Sequence, residues 1–343
     1  MALKSIREAI NDCLREEMAR DPRVVILGED VCGGLGGSSG IEEAAGGTFG
    51  VTAGLAKQFG RARVIDTPIT ESAIIGAAAG AALTGLRPVA ELMFIDFLGV
   101  CFDQILNQIA KFRYMFGGRA KTPLVIRTMI GAGVGAGPQH SQSLYAMLAS
   151  IPGIKVALPS NAYDAKGLLA QAIRDDDPVV FCEHKALYNE QCEVPDGPYT
   201  LPFGEANVTR RGNHVTVVAF SRMVLLANQA ADKLAREGIS VEVIDPRTIS
   251  PLDTDSIIES VEKTGRLVVV DEATPMCGMA SEIVSAIASE AFECLQAPPV
   301  KVTAPHTPVP ATPHLEAEYV PSREKIERAI RKVLGKTAER AAS

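Results

Sequence analysis

Glu71 is the residue of this sequence whose surroundings most favour chemistry. It precedes a run of small and apolar residues, 72–83, and the next lysine or arginine along the chain is Arg87. A carboxyl group in apolar surroundings resists ionisation and can donate or relay a proton near neutral pH. The alternative is a first-turn glutamate that only interacts with the helix dipole, with Thr70 as the N-cap. The residues alone leave both interpretations open.

Glu29 and His140 are two further candidates. Glu29 follows a buried strand predicted over 24–27, and open α/β sheets place their sites at the carboxyl ends of strands. An ordinary solvated loop acid is the alternative. His140 follows a glycine-rich loop, 131–138, and lies in 139–142, which we predict to open a helix. Its ring is therefore a candidate for a cleft at the sheet edge, and capping of that helix is an equal alternative.

The glycine spacing of the same loop, Gly131-x-Gly133-x-x-Ala136, is typical of a dinucleotide-binding turn. That fingerprint also requires an acidic residue at the end of the next strand. The next predicted strand ends instead in Pro159-Ser160, so we do not expect nicotinamide or flavin binding. The five histidines show no metal-ligand spacing, and no Gly-x-Ser-x-Gly nucleophile elbow occurs.

The composition is that of a globular protein with a large core. The 343 residues are 47% hydrophobic and 22% charged, and the net charge of −7 argues against nucleic-acid or anionic-membrane binding. Seven cysteines without a Cys-x-x-Cys pair indicate reduced thiols and a cytoplasmic location. We expect neither a signal peptide nor a membrane span.

Strands and helices alternate along the chain, which predicts parallel sheets covered by helices in two α/β domains of unequal size. The predicted strands cover 24–27, 63–66, 88–93, 123–128, 155–158, 178–181, 214–220, 240–244, 267–271 and 300–303. The predicted helices cover 5–20, 51–59, 72–83, 95–114, 162–175, 222–237, 254–263, 280–292 and 322–334. The predicted boundaries are a first domain at 1–187, a linker at 188–204, a second domain at 205–336 and a tail at 337–343.

Seven stretches spread over nearly the whole chain resemble the β subunits of the thiamine-diphosphate-dependent 2-oxoacid dehydrogenase complexes. They are LGEDV (27–31), DTPITE (66–71), GLRPVAELMFIDF (85–97), DQILNQIAKFRYMFGG (103–118), QHSQS (139–143), YDAKGLLAQAIRDDDPVV (163–180) and DPRTISPLD (245–253). Within that family, ELMFIDFLGVCFDQI, AKFRYMFGG and the glycine-rich insert at 32–47 are most similar to the acetoin dehydrogenase branch.

The resemblance implies a pyrimidine-binding domain of the thiamine diphosphate fold followed by a transketolase C-terminal-like domain. Thiamine diphosphate reacts through a carbanion at its thiazolium carbon, and a carboxyl group hydrogen-bonded to its aminopyrimidine favours the tautomer that removes the proton. Glu71 matches that carboxyl group, and His140 matches the histidine that handles substrate or the lipoyl group. Glu29 corresponds to an acid in a channel between paired active sites. The residues implied to contact the cofactor are Glu29, Ile69, Glu71, Met93 and Phe97.

The resemblance also implies metals and partners. A potassium ion is expected at the backbone oxygens of Leu124, Ala172, Ile173, Asp175 and Asp177. No Gly-Asp-Gly motif for Mg²⁺ and diphosphate occurs in the sequence, so an α subunit is expected to supply that half of the site. The implied assembly is an α₂β₂ heterotetramer that serves a lipoyl-bearing acyltransferase, with the Gly76/Gly80 helix face as a packing surface. Gly137-Pro138 departs from the small non-proline residues expected before Gln139, which affects the substrate assignment.

The predicted function is thus cleavage of acetoin, with three alternatives. A pyruvate or branched-chain 2-oxoacid dehydrogenase subunit would use the same mechanism on another substrate. A non-catalytic scaffold subunit would only stabilise its partner, and the presence of Glu71 and His140 disfavours it. A nucleotide-binding module is disfavoured by the missing acid after Ala136.

Overall fold

The computed structural model of the protein describes residues 1–33 and 46–335, which form two compact units. The first unit comprises Met1–Ile130 and Met147–Phe203, and the second comprises Gly131–Ala146 and the chain from Gly204. His140 therefore lies in the second unit, whereas Glu71 lies in the first. Most of the glycine-rich insert at 32–47 and all of the predicted tail at 337–343 fall outside the described residues. The predicted domain boundaries stay a prediction.

A parallel sheet forms the centre of the first unit. Its strands lie in the order β6-β7-β5-β4-β2-β3, and every neighbouring pair is parallel. A separate antiparallel pair joins β1 to β8. The strands are β1 (Ala2–Ser5), β2 (Val24–Gly28), β3 (Val64–Asp66), β4 (Arg87–Phe94), β5 (Val125–Ile130), β6 (Lys155–Ala157), β7 (Val179–His184) and β8 (Gln191–Val194). Strands β2, β5 and β7 are buried throughout their length, as expected for a sheet covered on both faces.

Helices connect these strands. Helix α1 begins with a capping box, in which Ser5 and Glu8 exchange hydrogen bonds, and its residue Glu17 pairs with Arg174 of α6. The helices are α1 (Ile6–Arg20), α2 (Leu55–Phe59), α3 (Glu71–Leu83), α4 (Phe112–Met115), α5 (Tyr145–Ala149) and α6 (Ala162–Arg174), with 3-10 turns at Ile95–Val100 and Lys185–Leu187 and a π-helix at Gln104–Ile109.

Two predicted helices of the first unit are wrong in extent. The helix predicted over 51–59 begins only at Leu55, because Gly54 has a φ of 75°, outside the helical range. Residues 95–114 do not form one helix. Gly99 and the β-branched Val100 disfavour an uninterrupted α-helix, and this segment is divided into the 3-10 turn, the π-helix and α4. Strands β1 and β8 were not predicted, because only one residue of each is buried and neither is a run of apolar residues.

The second unit has its own sheet, in the order β14-β13-β10-β11-β9, in which only β9 is antiparallel. Apolar residues of β10, β11 and β13 pack with α7 and α11 in its core. The strands are β9 (Asn207–Arg210), β10 (Val215–Ala219), β11 (Val241–Asp245), β12 (Thr248–Ser250), β13 (Leu267–Asp271) and β14 (Val300–Thr303). The helices are α7 (Arg222–Ala235), α8 (Thr254–Thr264), α9 (Met279–Glu290), α10 (Pro313–Tyr319) and α11 (Arg323–Val333), with a 3-10 turn at Phe292–Cys294.

Membrane-spanning helices and cysteine pairing were both considered in the sequence analysis. Across residues 1–33 and 46–335, no helix has both the length and the apolar character needed to cross a membrane. All seven cysteines are unpaired thiols, as the sequence predicts.

Candidate active site

Glu71 is the first residue of α3, where the sequence places it. Its side chain is nearly buried, with 8% of the residue exposed. In the described part of the chain, no lysine or arginine forms an ion pair with this carboxyl group. Thr70 occupies the N-cap position, but its side chain accepts no capping hydrogen bond, so its predicted capping role is wrong in that respect. A nearly buried carboxyl group without a cationic partner suits hydrogen bonding to a neutral ring nitrogen.

The groups around Glu71 are acids and a thiol. Burial raises the pKa of Glu29, and the negative charge of Glu71 raises it further, so these two carboxyl groups interact electrostatically. Burial likewise raises the pKa of Cys101 to about 12, with a smaller contribution from Glu71. The structure therefore brings together two of the three ionisable candidates, Glu29 and Glu71.

Removing the charge of Glu29 is expected to stabilise the chain at neutral pH. The pKa of Glu29 is higher in the folded state than in the unfolded chain, so the folded state favours the protonated side chain. The stabilisation from that protonation is fully present below pH about 4.5 and is lost as the pH rises through the folded-state pKa. We expect Glu29→Gln to raise the free energy of unfolding at pH 7 by at most about 1 kcal/mol, since the side chain is only partly buried. Urea unfolding at pH 7 and pH 4 measures this gain, which should vanish at pH 4.

The matched control for this prediction is Glu193→Gln, which removes an exposed carboxylate from β8. It should change the stability at pH 7 by less than about 0.5 kcal/mol. A Glu29→Gln variant that is less stable than the parent chain at pH 7 would contradict the prediction.

Met93 and Phe97 lie at and just after the carboxyl end of β4. The pairing of β4 with β5 shifts register at Met93, which is the extra residue of a β-bulge. Met93 is 7% exposed, and its Sδ accepts a hydrogen bond from Thr48 Oγ1 at 3.5 Å. Phe97 is half-buried and packs edge-on against Phe94, with 5.8 Å between the ring centroids. The bulge redirects the chain where it leaves the sheet and was not predictable from the alternation of residues.

Three adjacent strands bring the candidate residues to one edge of the first sheet. Strand β2 ends just before Glu29, β4 carries Met93 close to its end, and β3 leads into the segment with Ile69 and Glu71. Because these strands are parallel neighbours, their carboxyl ends lie side by side, and we call this the site edge. Ile69 is 81% exposed and offers an apolar surface outside the core.

A buried ionic cluster lies in the same sheet and was not predicted as part of the site. Arg127 is fully buried, and its Nη1 donates to Glu91 Oε2 at 2.8 Å. Its Nε and Nη2 donate to the two carboxylate oxygens of Glu183 at 2.6 and 2.7 Å, and Tyr188 Oη also donates to Glu183 at 2.7 Å. The backbone of Gly28 passes so near that an added Cβ would lie 2.9 Å from Cβ of Glu91. The sequence signal that was available for this cluster is a charged residue in the interior of each of three mostly apolar strands, β4, β5 and β7.

His140 lies in a turn, and the predicted helix at 139–142 is wrong. Gly137 has a φ of 76°, and the backbone N–H of His140 donates to the Gly137 carbonyl at 3.3 Å. Proline at 138 and this turn delay the helix, and α5 begins only at Tyr145. Helix capping by His140 is thereby removed as an alternative, because no helix begins beside it.

Four of the five carbonyl oxygens predicted to hold potassium, all except that of Asp177, already accept hydrogen bonds. Arg87 Nη1 donates to the carbonyls of Ile173 and Asp175, both at 2.9 Å. The Leu124 carbonyl accepts from the N–H of Val179 at 2.9 Å, as part of the sheet. A guanidinium thus lies where two of the predicted ligands converge.

The other two predicted ligands have neighbours of their own. The Ala172 carbonyl accepts from the N–H of Asp175 at 3.3 Å. The Asp177 carboxylate pairs with Arg113 and lies 3.5 Å from Lys155 Nζ. A potassium ion at the predicted position would have to share the carbonyl oxygens of Ile173 and Asp175 with Arg87.

Comparison with known proteins places this arrangement in a family. Residues 3–191 match the family described as "Transketolase, pyrimidine binding domain", and residues 204–326 match "Transketolase, C-terminal domain". A solved structure titled "Split gene transketolase, inactive beta4 tetramer" has the same fold, with a TM-score of 0.77 at 24% identity, covering 97% of this chain and 99% of that one.

Curated relatives match along almost their whole length. The chain is 57% identical to the acetoin:2,6-dichlorophenolindophenol oxidoreductase subunit beta of Cupriavidus necator, over 96% of this chain and 97% of the relative. It is 52% identical to the protein of that name from Bacillus subtilis, over 97% and 98%. It is 44% identical to the pyruvate dehydrogenase E1 component subunit beta of Bacillus subtilis, over 97% and 99%. The chain therefore belongs to the family of transketolase-type β subunits that includes those of the acetoin and 2-oxoacid dehydrogenases.

Proposed function

We propose that this chain is the β subunit of a thiamine-diphosphate-dependent acetoin dehydrogenase. With an α subunit it would cleave acetoin and pass the two-carbon unit to a lipoyl acyltransferase. The observation that carries the proposal is Glu71, a nearly buried carboxyl group at the site edge with no cationic partner among residues 1–33 and 46–335. The names of the relatives at 57% and 52% identity support acetoin as the substrate.

The residues of the chain fit one half of a thiamine diphosphate site. When bound, the cofactor supplies a carbanion centre, and its aminopyrimidine ring needs a carboxyl partner. Glu71 would hydrogen-bond that ring through its carboxyl group, which is nearly buried at the site edge. Met93, Phe97 and Ile69 would supply apolar contacts to the ring. Glu29, whose pKa is raised, can accept or return a proton beside Glu71.

An α subunit would complete the site. The sequence has no Gly-Asp-Gly motif, so we propose that the partner binds Mg²⁺ and the diphosphate, and that two copies of each subunit assemble as α₂β₂. Helix α3 supports such an interface, because Ala73, Ala77, Gly80 and Thr84 are exposed along one of its faces. Of the predicted Gly76/Gly80 face, a Cβ added at Gly80 would meet no atom of the described residues within 4 Å, whereas one at Gly76 would lie 3.7 Å from Cγ of Gln104.

An artificial-acceptor assay tests the proposal. The chain is assayed alone and with its co-expressed α partner, with thiamine diphosphate and Mg²⁺, on acetoin and on pyruvate. We expect dye reduction only with the partner and a higher kcat/KM for acetoin. A preference for pyruvate or a branched-chain 2-oxoacid would assign the chain to that branch, whose named relatives are 44% and 42% identical. Activity from the chain alone would refute the half-site argument.

The nucleotide-binding alternative loses support from the glycine loop at 131–138. The backbone N–H groups of Gly133 and Gly135 donate to the carboxylate of Glu316, at 2.8 and 2.9 Å. A phosphate group would have to displace this anion to reach them. The scaffold alternative is tested by the Glu71 variant described in the Discussion.

Potassium binding and a cytoplasmic location stay predictions. If potassium binds at the predicted carbonyls, the thermal unfolding midpoint of the chain should be higher in potassium than in sodium buffer, since an ion bound only to the folded state stabilises it. Equal midpoints would argue that Arg87 occupies that position alone. The unpaired cysteines support a reducing compartment.

A further inference from the structure

One buried carboxylate binds two amides of the glycine loop, residues 131–138. Glu316, on α10, is 4% exposed. Its Oε1 accepts from the N–H of Gly133 at 2.8 Å, and its Oε2 accepts from the N–H of Gly135 at 2.9 Å. Both oxygens of one side chain are thus committed to a loop more than 180 positions away in the sequence.

The loop needs such an anchor because it has little regular structure of its own. Gly133 and Gly135 have φ angles of 106° and 72°, which rule out a strand or helix ladder at these positions. Hydrogen bonds to an ionised acceptor are roughly twice as strong as neutral ones. The Glu316 carboxylate therefore supplies these two backbone N–H groups with the hydrogen-bond acceptors that a neighbouring strand supplies in a sheet.

Other contacts within the second unit hold both ends of the segment. The N–H of Ala132 donates to Glu272 Oε1 at 2.6 Å, and the Ala132 carbonyl accepts from Arg222 Nη1 at 3.1 Å. Beyond the histidine turn, Tyr145 Oη donates to the buried carboxylate of Asp271. Between these ends, the N–H of Gly131 donates to the Gln142 carbonyl at 3.2 Å, and Glu316 binds the amides of Gly133 and Gly135.

We propose that Glu316 is a positioning residue for His140. Its second contact, at Gly135, lies only two residues before Gly137, whose carbonyl accepts from the N–H of His140 at 3.3 Å. Fixing Gly135 therefore limits where the turn can place the imidazole. The inference deepens the proposed function and rests on it together with the role that the family resemblance implies for His140, the handling of substrate or the lipoyl group.

The test is Glu316→Gln in the complex with the α partner. The amide keeps one acceptor oxygen but turns an NH₂ donor against the second glycine N–H. Hydrogen-exchange mass spectrometry of a peptide covering 131–140 should show faster amide exchange in the variant. Turnover with the lipoyl acceptor should fall between about 10- and 100-fold, as for a displaced reacting group, while the thiamine diphosphate Kd stays within about twofold.

A double-mutant cycle separates positioning from a general structural effect. If Glu316 acts through His140, adding Glu316→Gln to His140→Ala should lower turnover by no more than about twofold beyond His140→Ala alone. Losses that multiply would overturn the inference. The matched control is Glu324→Gln, an exposed carboxylate at the start of α11, which should match the parent enzyme in exchange and turnover.

The two proposals can fail separately. If the parent complex does not turn over acetoin or a 2-oxoacid, the proposed function fails, and the exchange experiment still reports whether Glu316 anchors the loop. If the complex is active and Glu316→Gln leaves the exchange of 131–140 unchanged, the inference about Glu316 is overturned while the proposed function stands.

Discussion

Glu71→Gln is expected to lower acetoin turnover at least about 100-fold, within the range attributed to general acid–base groups. Glutamine has nearly the shape of glutamate, so a side chain that is 8% exposed can be replaced without a cavity. It cannot share a proton as a carboxyl group does, and the cofactor would lose the partner that favours its reactive tautomer. Dye reduction by the complex with the α partner measures the loss, and a cofactor titration shows whether affinity is retained.

The outcome also decides between catalytic and scaffold roles. The control is Glu262→Gln, which removes an exposed carboxylate of α8 in the second unit and should leave turnover within about twofold of the parent. A Glu71→Gln complex that assembles normally but is inactive excludes a purely structural subunit. Turnover within about threefold of the parent would remove Glu71 from the mechanism, and loss of assembly together with activity would favour the scaffold alternative.

Arg127→Met should have the largest effect on stability, a loss of about 3–5 kcal/mol. The guanidinium is the shared partner of Glu91 and Glu183, all three being nearly or fully buried. Methionine fills much of the space but leaves two carboxylates without a countercharge. Urea unfolding of the chain measures the loss, and circular dichroism shows whether the variant is folded at all.

The pH dependence of this loss provides an internal check. Burial raises the pKa of Glu91, while Arg127 lowers it, so removing the arginine leaves only the raising influence. The folded variant should then bind a proton more tightly than the unfolded chain, and its deficit should shrink as the pH falls towards 5. Arg113→Met is the control, because its pair with Asp177 is partly exposed and should contribute at most about 1 kcal/mol. Equal losses in the two variants would contradict the argument.

Strand positions were largely predictable because buried parallel strands are short apolar runs bounded by polar or glycine residues. Residues 267–271 and 300–303 have the predicted bounds, and the strand that leads to Glu29 differs by one residue. Placement of Glu29 at the end of that strand, and of Glu71 in the first turn of α3, followed from the same pattern. These are local properties that depend on residue type and spacing.

Features that depend on distant partners were not predictable. The bulge at Met93 arises from the pairing of two strands, and nothing in the residues around it marks the extra position. Glu316 lies between the strand predicted at 300–303 and the helix predicted at 322–334, where no helix was predicted, and its contacts are to glycines more than 180 residues earlier. Sequence periodicity reports burial along one element and carries no information on which side chain it meets.

The ionic cluster beneath the site edge has a consequence for how the sheet is assembled. Glu91 and Arg127 are direct partners in the alignment of β4 with β5, and Glu183 lies on β7, the next strand. Sliding one strand by a single residue would turn its charged side chain to the opposite face and leave buried charges without partners. The other residues of these strands are mostly apolar, so they discriminate only weakly between one strand register and the next. The three charges therefore specify the register of the central strands. Only one register pairs all three charges, and that register places the same residues at the site edge.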